Sequence, residues 1–184
     1  MILPTREELD NYNMGGIHSQ FRGDERGWVL SSAGVEHYRL LRYLGSLSRI
    51  AICELGTYMG HSAAALGADT SVPVFTYDYA TSVKWHQQPD NVFTHLLPNE
   101  FVWPKFIVNA DVIFVDTWHH GKMEREVFDY LLEEQWTGIL VYDDIDYNDP
   151  MREFWASIPE SDRYNKIDLT NLGHCTGTGV IEFL

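Results

Sequence analysis

The chain reads as an α/β protein with a seven-stranded, mostly parallel sheet, helices on both faces and an antiparallel hairpin at its carboxyl end. Three observations predict this. Apolar runs of strand length alternate with segments of helical periodicity. Five of these runs are each followed by a helical or loop segment, the pattern of a parallel sheet built by crossovers. The last two runs are joined by a glycine-rich stretch too short for a crossover helix, so they must pair antiparallel.

Taken in order, Thr5 and Glu8 have the spacing of a capping box that opens a short helix. Ser31 or Ser32 is placed to cap a longer helix. Its Val35, Tyr38, Leu40 or Leu41, Leu44 and Leu47 recur at helical spacing, and it should end between Gly45 and Ser48. The parallel strands are expected over residues 50–55, 74–78, 91–96, 112–116 and 139–143, and the hairpin strands over 166–170 and 179–183. Between them, helices are expected over 62–68, over 99–108 despite Pro104, over 122–135, and from Pro150 with Asp149 as its cap.

No repeat, low-complexity tract or linker divides the 184 residues, so a single domain over 1–184 is expected, with residues 1–30 a candidate lid or substrate segment. An apolar content of 45% suits a folded core, and no run approaches the length of a membrane span. The amino terminus lacks the order of a secretory signal, and Cys53 falls in a strand where a thiol packs as a small apolar group. A reducing, cytoplasmic setting is therefore expected. With a net charge of -14 the average surface repels phosphate backbones and anionic lipid, which argues against nucleic acid and membrane partners. The oligomeric state is not legible.

The polar residues that stand out are Glu54, Asp78, Asp116, Asp143 and Asp144, all at or near carboxyl ends of expected strands, where open α/β sheets bind ligands. Gly56 and Gly60 bracket the turn after the first strand, and lack of a Cβ there lets backbone approach a ligand; a ligand-free tight turn is the plainer alternative. The Gly-x-x-x-Gly-x-Ser spacing lacks the third glycine of a dinucleotide fold, and no tyrosine is followed four positions on by lysine. A nicotinamide-dependent oxidoreductase is thus disfavoured. Asp78 can accept hydrogen bonds from both hydroxyls of a ribose.

Ala51-Ile-Cys-Glu-Leu-Gly-Thr-Tyr-Met-Gly-His-Ser-Ala-Ala-Ala-Leu66 resembles the first motif of class I S-adenosylmethionine (SAM)-dependent O-methyltransferases, particularly the catechol O-methyltransferase-like group and its sugar-modifying relatives. Ala110-Asp-Val-Ile-Phe-Val-Asp-Thr-Trp-His119 resembles that group's fourth-strand motif, and Gly138-Ile-Leu-Val-Tyr-Asp-Asp144 its fifth. The resemblance covers roughly residues 49 to 150 and implies a Rossmann-like sheet. It further implies that Glu54, Gly56, Thr57, Tyr58, Gly60 and Ser62 hold the methionine end of the cofactor, Asp78 and Tyr79 the ribose side, and Trp118 the adenine. Asp116, Asp143 and Asp144 would bind a divalent metal such as Mg2+. Beside Asp116, His119, three positions on, would remove the substrate proton, with His120 as the other candidate base. Asp144 stands where the catechol enzymes have asparagine, which points toward the sugar-modifying branch.

The expected activity is methyl transfer to a hydroxyl of a sugar, glycan or small molecule. The alternative is a catalytically silent SAM-binding scaffold. Tyr79, Trp85 and Trp28 offer aromatic faces for an acceptor or serve as loop anchors, and His18 is a candidate lid residue. The remaining histidines are assigned no role.

Overall fold

The computed structural model describes residues 3–23, 26–31, 34–80, 82–83, 85–100 and 102–184, with the side chains of Arg26 and Trp28 outside that description. Two sequence expectations, Ser32 as a cap and the Trp28 side chain as an aromatic face, lie outside the described residues.

Seven strands form one sheet: β1 (Ile52–Leu55), β2 (Val74–Asp78), β3 (Val92–Leu96), β4 (Val112–Val115), β5 (Gly138–Asp143), β6 (Tyr164–Asp168) and β7 (Thr178–Phe183). Their spatial order is β3-β2-β1-β4-β5-β7-β6. The first five are mutually parallel, and β7 runs antiparallel to both β5 and β6. The expected hairpin is therefore present, with β7 inserted beside β5 and β6 left at the edge. The strand order reverses between β1 and β4, which opens a crevice at their carboxyl ends.

The amino-terminal third supplies four helices, α1 (Arg6–Asp10), α2 (Gly15–His18), α3 (Arg26–Leu30) and α4 (Val35–Ser46), and α5 (His61–Gly67) follows β1. The Thr5–Glu8 capping box forms as its spacing predicts. The expected Ser31 cap of α4 is corrected: the N-cap is Gly34, with no side-chain cap bond, and Ser31 instead accepts from the Gly34 amide at 3.1 Å. On α4, His37, Leu40, Leu41 and Leu44 are buried, the stripe of a helix lying on a sheet. Beyond the sheet's centre come α6 (Lys122–Glu133) and α7 (Asp149–Ser157).

Two further local expectations are corrected. The helix over 99–108 is reduced to a 3-10 turn over Lys105–Asn109, because Pro104 stays extended at ψ 124° and disfavours the helical conformation of the residue before it. The cap of α7 is Asn148, whose side chain accepts from the Met151 amide at 2.9 Å, and Asp149 is the first helical residue.

Strand alternation divides the core into two layers. Cys53, Leu55, Ile113, Val115, Leu140, Tyr142 and Ile181 pack toward α6 and α7. Ile52, Val112, Phe114, Val141 and Val180 pack toward α4 and α5, together with Leu9, Met14, Ile17, Phe21 and Val29 of the first thirty residues. That segment thus builds the core on this face. The α4 and α5 backbones approach so closely that a Cβ added at Gly45 would lie 2.0 Å from the Leu66 carbonyl oxygen.

Gly45→Ala is expected to destabilise the chain by about 1–3 kcal/mol through this overpacking. Gly16→Ala, which meets nothing within 4 Å, is the matched control and should be neutral or slightly stabilising. Urea unfolding of both variants measures the difference; equal midpoints would show that the two helices can separate freely.

Candidate functional site

The alternation that sorts the core also sorts the acids. Glu54 follows Ile52 at a spacing of two, Asp116 follows Phe114 and Asp143 follows Val141, so all three share the α4 and α5 face at the carboxyl ends of β1, β4 and β5.

Glu54 is fully buried. The Thr76 hydroxyl on β2 donates to its Oε2, and Thr57 Oγ1 lies 2.5 Å from Thr76 Oγ1. Burial dominates these bonds and pushes the carboxyl up to about 8. Glu54 therefore sits beneath the loop after β1 as a neutral acid at pH 7, and it braces that loop from below.

The loop itself is pinned by backbone. Gly56 donates to the Tyr77 carbonyl at 2.8 Å, and the Tyr58 amide donates to Asp78 Oδ2 at 2.7 Å. Gly56 has φ 101°, and a Cβ there would lie 1.7 Å from the Asp116 carbonyl oxygen; at Gly60, φ 86°, it would strike the Trp85 ring at 2.6 Å. Both glycines are thus required by close approach inside the protein as well as by the turn.

Two clefts open on either side of this loop and share Gly56, Tyr58 and Asp116 in their walls. The first, of about 380 Å³, is lined by Asp78, Tyr79, Trp118, Leu97 and Trp103 among others. Asp78 accepts from the Tyr58 and Ala80 amides, and its remaining lone pairs face the cleft side of β2. Tyr79 and Trp118 are both exposed and stack with ring centroids 5.9 Å apart.

The second cleft, of about 600 Å³, is lined by His37 and Tyr38 of α4, Thr57 and Ser62, and the acids Asp116, Asp143 and Asp144. His119 Nε2 lies 3.2 Å from Asp116 Oδ1 and 3.3 Å from Asp144 Oδ2. Burial pulls this imidazole down, but the adjoining carboxylates of Asp116, Asp144 and Asp143 outweigh it and carry its pKa up to about 9. Asp116 and Asp144 are themselves raised, chiefly by burial. Among the described residues, positive φ in a non-glycine occurs at Tyr58, His119, Gln135 and Asp144; Tyr58 and Asp144 line these clefts, and His119 sits between Asp116 and Asp144. Such strain collects where a fold over-determines a site.

His120 turns away from the acids. Its Nδ1 lies 2.8 Å from the Trp118 carbonyl oxygen, and it lines a separate surface hollow. His18 is absent from the walls of both main clefts. Trp85 is a loop anchor, packed on Phe21 with centroids 4.9 Å apart and seated over Gly60.

Two residues that sequence reasoning left unassigned join the cluster. His174, in the connection between β6 and β7, places Nε2 2.8 Å from Asp143 Oδ1, and His37 Nδ1 lies 3.6 Å from the same oxygen. His37 had a signal, its place on the buried stripe of α4; His174 had none, because only the return of β7 alongside β5 brings its loop to the rim.

No protein-family model and no curated protein matches the chain. Solved structures match it by fold. A methyltransferase of Podospora anserina with SAH bound aligns over 100% of this chain and 99% of its own at 16% identity and a TM-score of 0.55. The O-methyltransferase TomG of Streptomyces achromogenes, involved in tomaymycin synthesis and solved in complex with SAM, aligns over 98% and 99% at 16% identity and a TM-score of 0.50. The chain therefore has the Rossmann-like methyltransferase fold.

Glu54 generates a prediction of sign. Its folded pKa of about 8 exceeds the ordinary 4.5, so its stabilising state is complete below that ordinary value and is lost as pH rises through the folded one. The isosteric Glu54→Gln, which cannot ionise, should gain on the wild type between pH 5 and 8 by up to about 1.4 kcal/mol per pH unit. Denaturant unfolding at both ends of that window tests this, and an unchanged gap would mean that the carboxyl ionises normally.

Proposed function

We propose that this chain is an enzyme that moves the methyl group of SAM to a hydroxyl of a small molecule, with a sugar or glycan as the favoured acceptor class. One observation carries the reading. A cleft with a ribose-type acceptor and a pair of aromatic rings runs, through one glycine loop, into a second cleft floored by carboxylates and imidazoles.

In this reading Asp78 accepts the two ribose hydroxyls, and Tyr79 and Trp118 cover the adenine. Thr57, Tyr58, Gly60 and Ser62 border the methionine end, with Glu54 bracing the loop from below. SAM supplies a methyl carbon on a sulfonium, which an oxygen nucleophile attacks in line. In this reading that oxygen binds beside Asp116 in the second cleft, with His119 just behind that carboxylate, its Nε2 3.2 Å from Asp116 Oδ1. His119 takes the hydroxyl proton as neutral imidazole, with Asp116 orienting it, so the reaction should quicken as pH rises through the pKa of that histidine. The Asn148 side chain donates to the His119 carbonyl at 2.9 Å and holds the strained turn that presents the ring. Exposed Tyr58 and Tyr147 offer flat faces at the mouth of this cleft, which suits a sugar ring.

The fold family also implies Mg2+ on Asp116, Asp143 and Asp144. Their donor chemistry is suitable, being all oxygen. Their arrangement is not, because His119 Nε2 occupies the gap between Asp116 and Asp144. Among the described residues, the set that brings one ligand atom each within 4.8 Å is His37, Asp143 and His174. No step is therefore routed through Mg2+.

Calorimetric titration with SAH is expected to show one site, with NAD silent. Asp78→Ala should weaken SAH binding by about tenfold or more, as loss of hydrogen bonds to a charged group does. With a panel of hydroxyl acceptors, His119→Ala should lower kcat by about 10²–10⁴-fold, whereas His120→Ala should change it by less than about threefold. NAD binding in place of SAH, or an Asp78→Ala variant with full affinity, would overturn the assignment.

A further inference from the structure

We propose that His37, Asp143 and His174 form a site for a divalent transition-metal ion of borderline softness, Zn2+ being the representative, set into the wall of the second cleft. The proposal stands on these three residues and is independent of the methyl-transfer reading.

The first support is an orphaned nitrogen. His37 is only 6% exposed, and its Nδ1 has no hydrogen-bond partner although it faces Asp143 Oδ1 at 3.6 Å. A desolvated imidazole nitrogen left unpaired is destabilising. A cation between His37 Nδ1 and Asp143 Oδ1 satisfies both.

The second support is convergence from three separate elements. His37 comes from α4, Asp143 from the end of β5 and His174 from the loop before β7, and they meet with one ligand atom each inside 4.8 Å. The two rings stand 4.5 Å apart at 80°, the crossed arrangement in which both can turn a nitrogen to one point. Tetrahedral zinc with bonds of about 2.0–2.1 Å holds its ligand atoms roughly 3.3 Å apart. The observed 2.8 and 3.6 Å separations from Asp143 Oδ1 bracket that spacing.

The third support is an oriented outer partner. His174 Nδ1 is hydrogen-bonded to the Thr176 hydroxyl, which fixes the ring and leaves Nε2 to point at Asp143. Metal-binding histidines are held in this way through their second nitrogen. Asp144 Oδ1, 3.9 Å from His174 Nε2, is near enough to supply a fourth ligand by a small rotation. Otherwise that position opens to the cleft beside Tyr147 and Thr176, where water or an acceptor oxygen fits. Two imidazoles and one carboxylate suit Zn2+, Fe2+ or Co2+ and not Mg2+, which prefers six oxygens.

The test uses the full chain, stripped with chelator and titrated with Zn2+ against a chromophoric chelator. One equivalent is expected to bind with a Kd of about 1 μM or tighter. His37→Ala and His174→Ala should each weaken binding by about a hundredfold or more, while Asp116→Asn should stay within about threefold. Circular dichroism of each metal-free variant checks that it is folded. Should His37→Ala not fold, the Co2+ form of the wild type decides: visible absorption of four- or five-coordinate intensity, and paramagnetic shifts at the His37 and His174 rings, support the site. The proposal is overturned by no stoichiometric binding, by Zn2+ binding that survives both histidine substitutions, by loss of binding in Asp116→Asn alone, or by displacement of Zn2+ by equimolar Mg2+. SAH binding, measured on the same stripped protein, reports on the methyl-transfer reading separately.

Discussion

Four carboxyl groups gathered at one end of a parallel sheet can stay there only if protons or cations neutralise them, and the rest of this site follows from that requirement. Each acid meets it differently. Glu54, sealed under the loop, holds a proton. Asp116 and Asp144 share the His119 imidazole between them. Asp143 has His174 in hydrogen-bonding contact and His37 Nδ1 just beyond, at 3.6 Å, a nitrogen without a hydrogen-bond partner.

The gathering is a product of the sheet's own geometry. Parallel strands end at a common edge, and a period of two places alternate residues on a common face, so acids two positions beyond an apolar core residue converge without special folding. The reversal of strand order between β1 and β4 leaves room for the loop that divides the two clefts. Gly56, wedged against the Asp116 carbonyl, couples the wall of one cleft to the floor of the other. Any ligand reaching from the aromatic pair to the acid rim must cross that glycine.

The histidines show how one sequence can carry a motif and alter its use. Position 119 matches the resembled family's base in spacing, yet in this rim it also stands as the counter-ion of two aspartates. A fixed imidazole there discourages an oxygen-bound cation between those acids, and the nitrogen donors lie on the far side of Asp143. The left-handed backbone at His119 and Asp144 places the two side chains face to face across the rim, which extended or helical backbone at these positions would not do.

From the sequence by itself come the α/β class, the strand and helix positions to within a few residues, the antiparallel ending, and the acids at strand ends. All of these are consequences of local periodicity and turn chemistry, which act over a few residues. The helix expected over 99–108 failed because a proline's restriction on its predecessor outweighed helical spacing, and the α7 cap shifted by one residue because asparagine competed with aspartate for the same amide. The order of strands, the insertion of β7 between β5 and β6, the burial of Glu54, the packing of His119 and not His120 between Asp116 and Asp144, and the arrival of His37 and His174 at Asp143 were decided only in the tertiary structure. Each depends on a contact between residues far apart in the chain. Such contacts are selected by packing and by the neutralisation of buried charge, forces that exist only once the sheet has assembled.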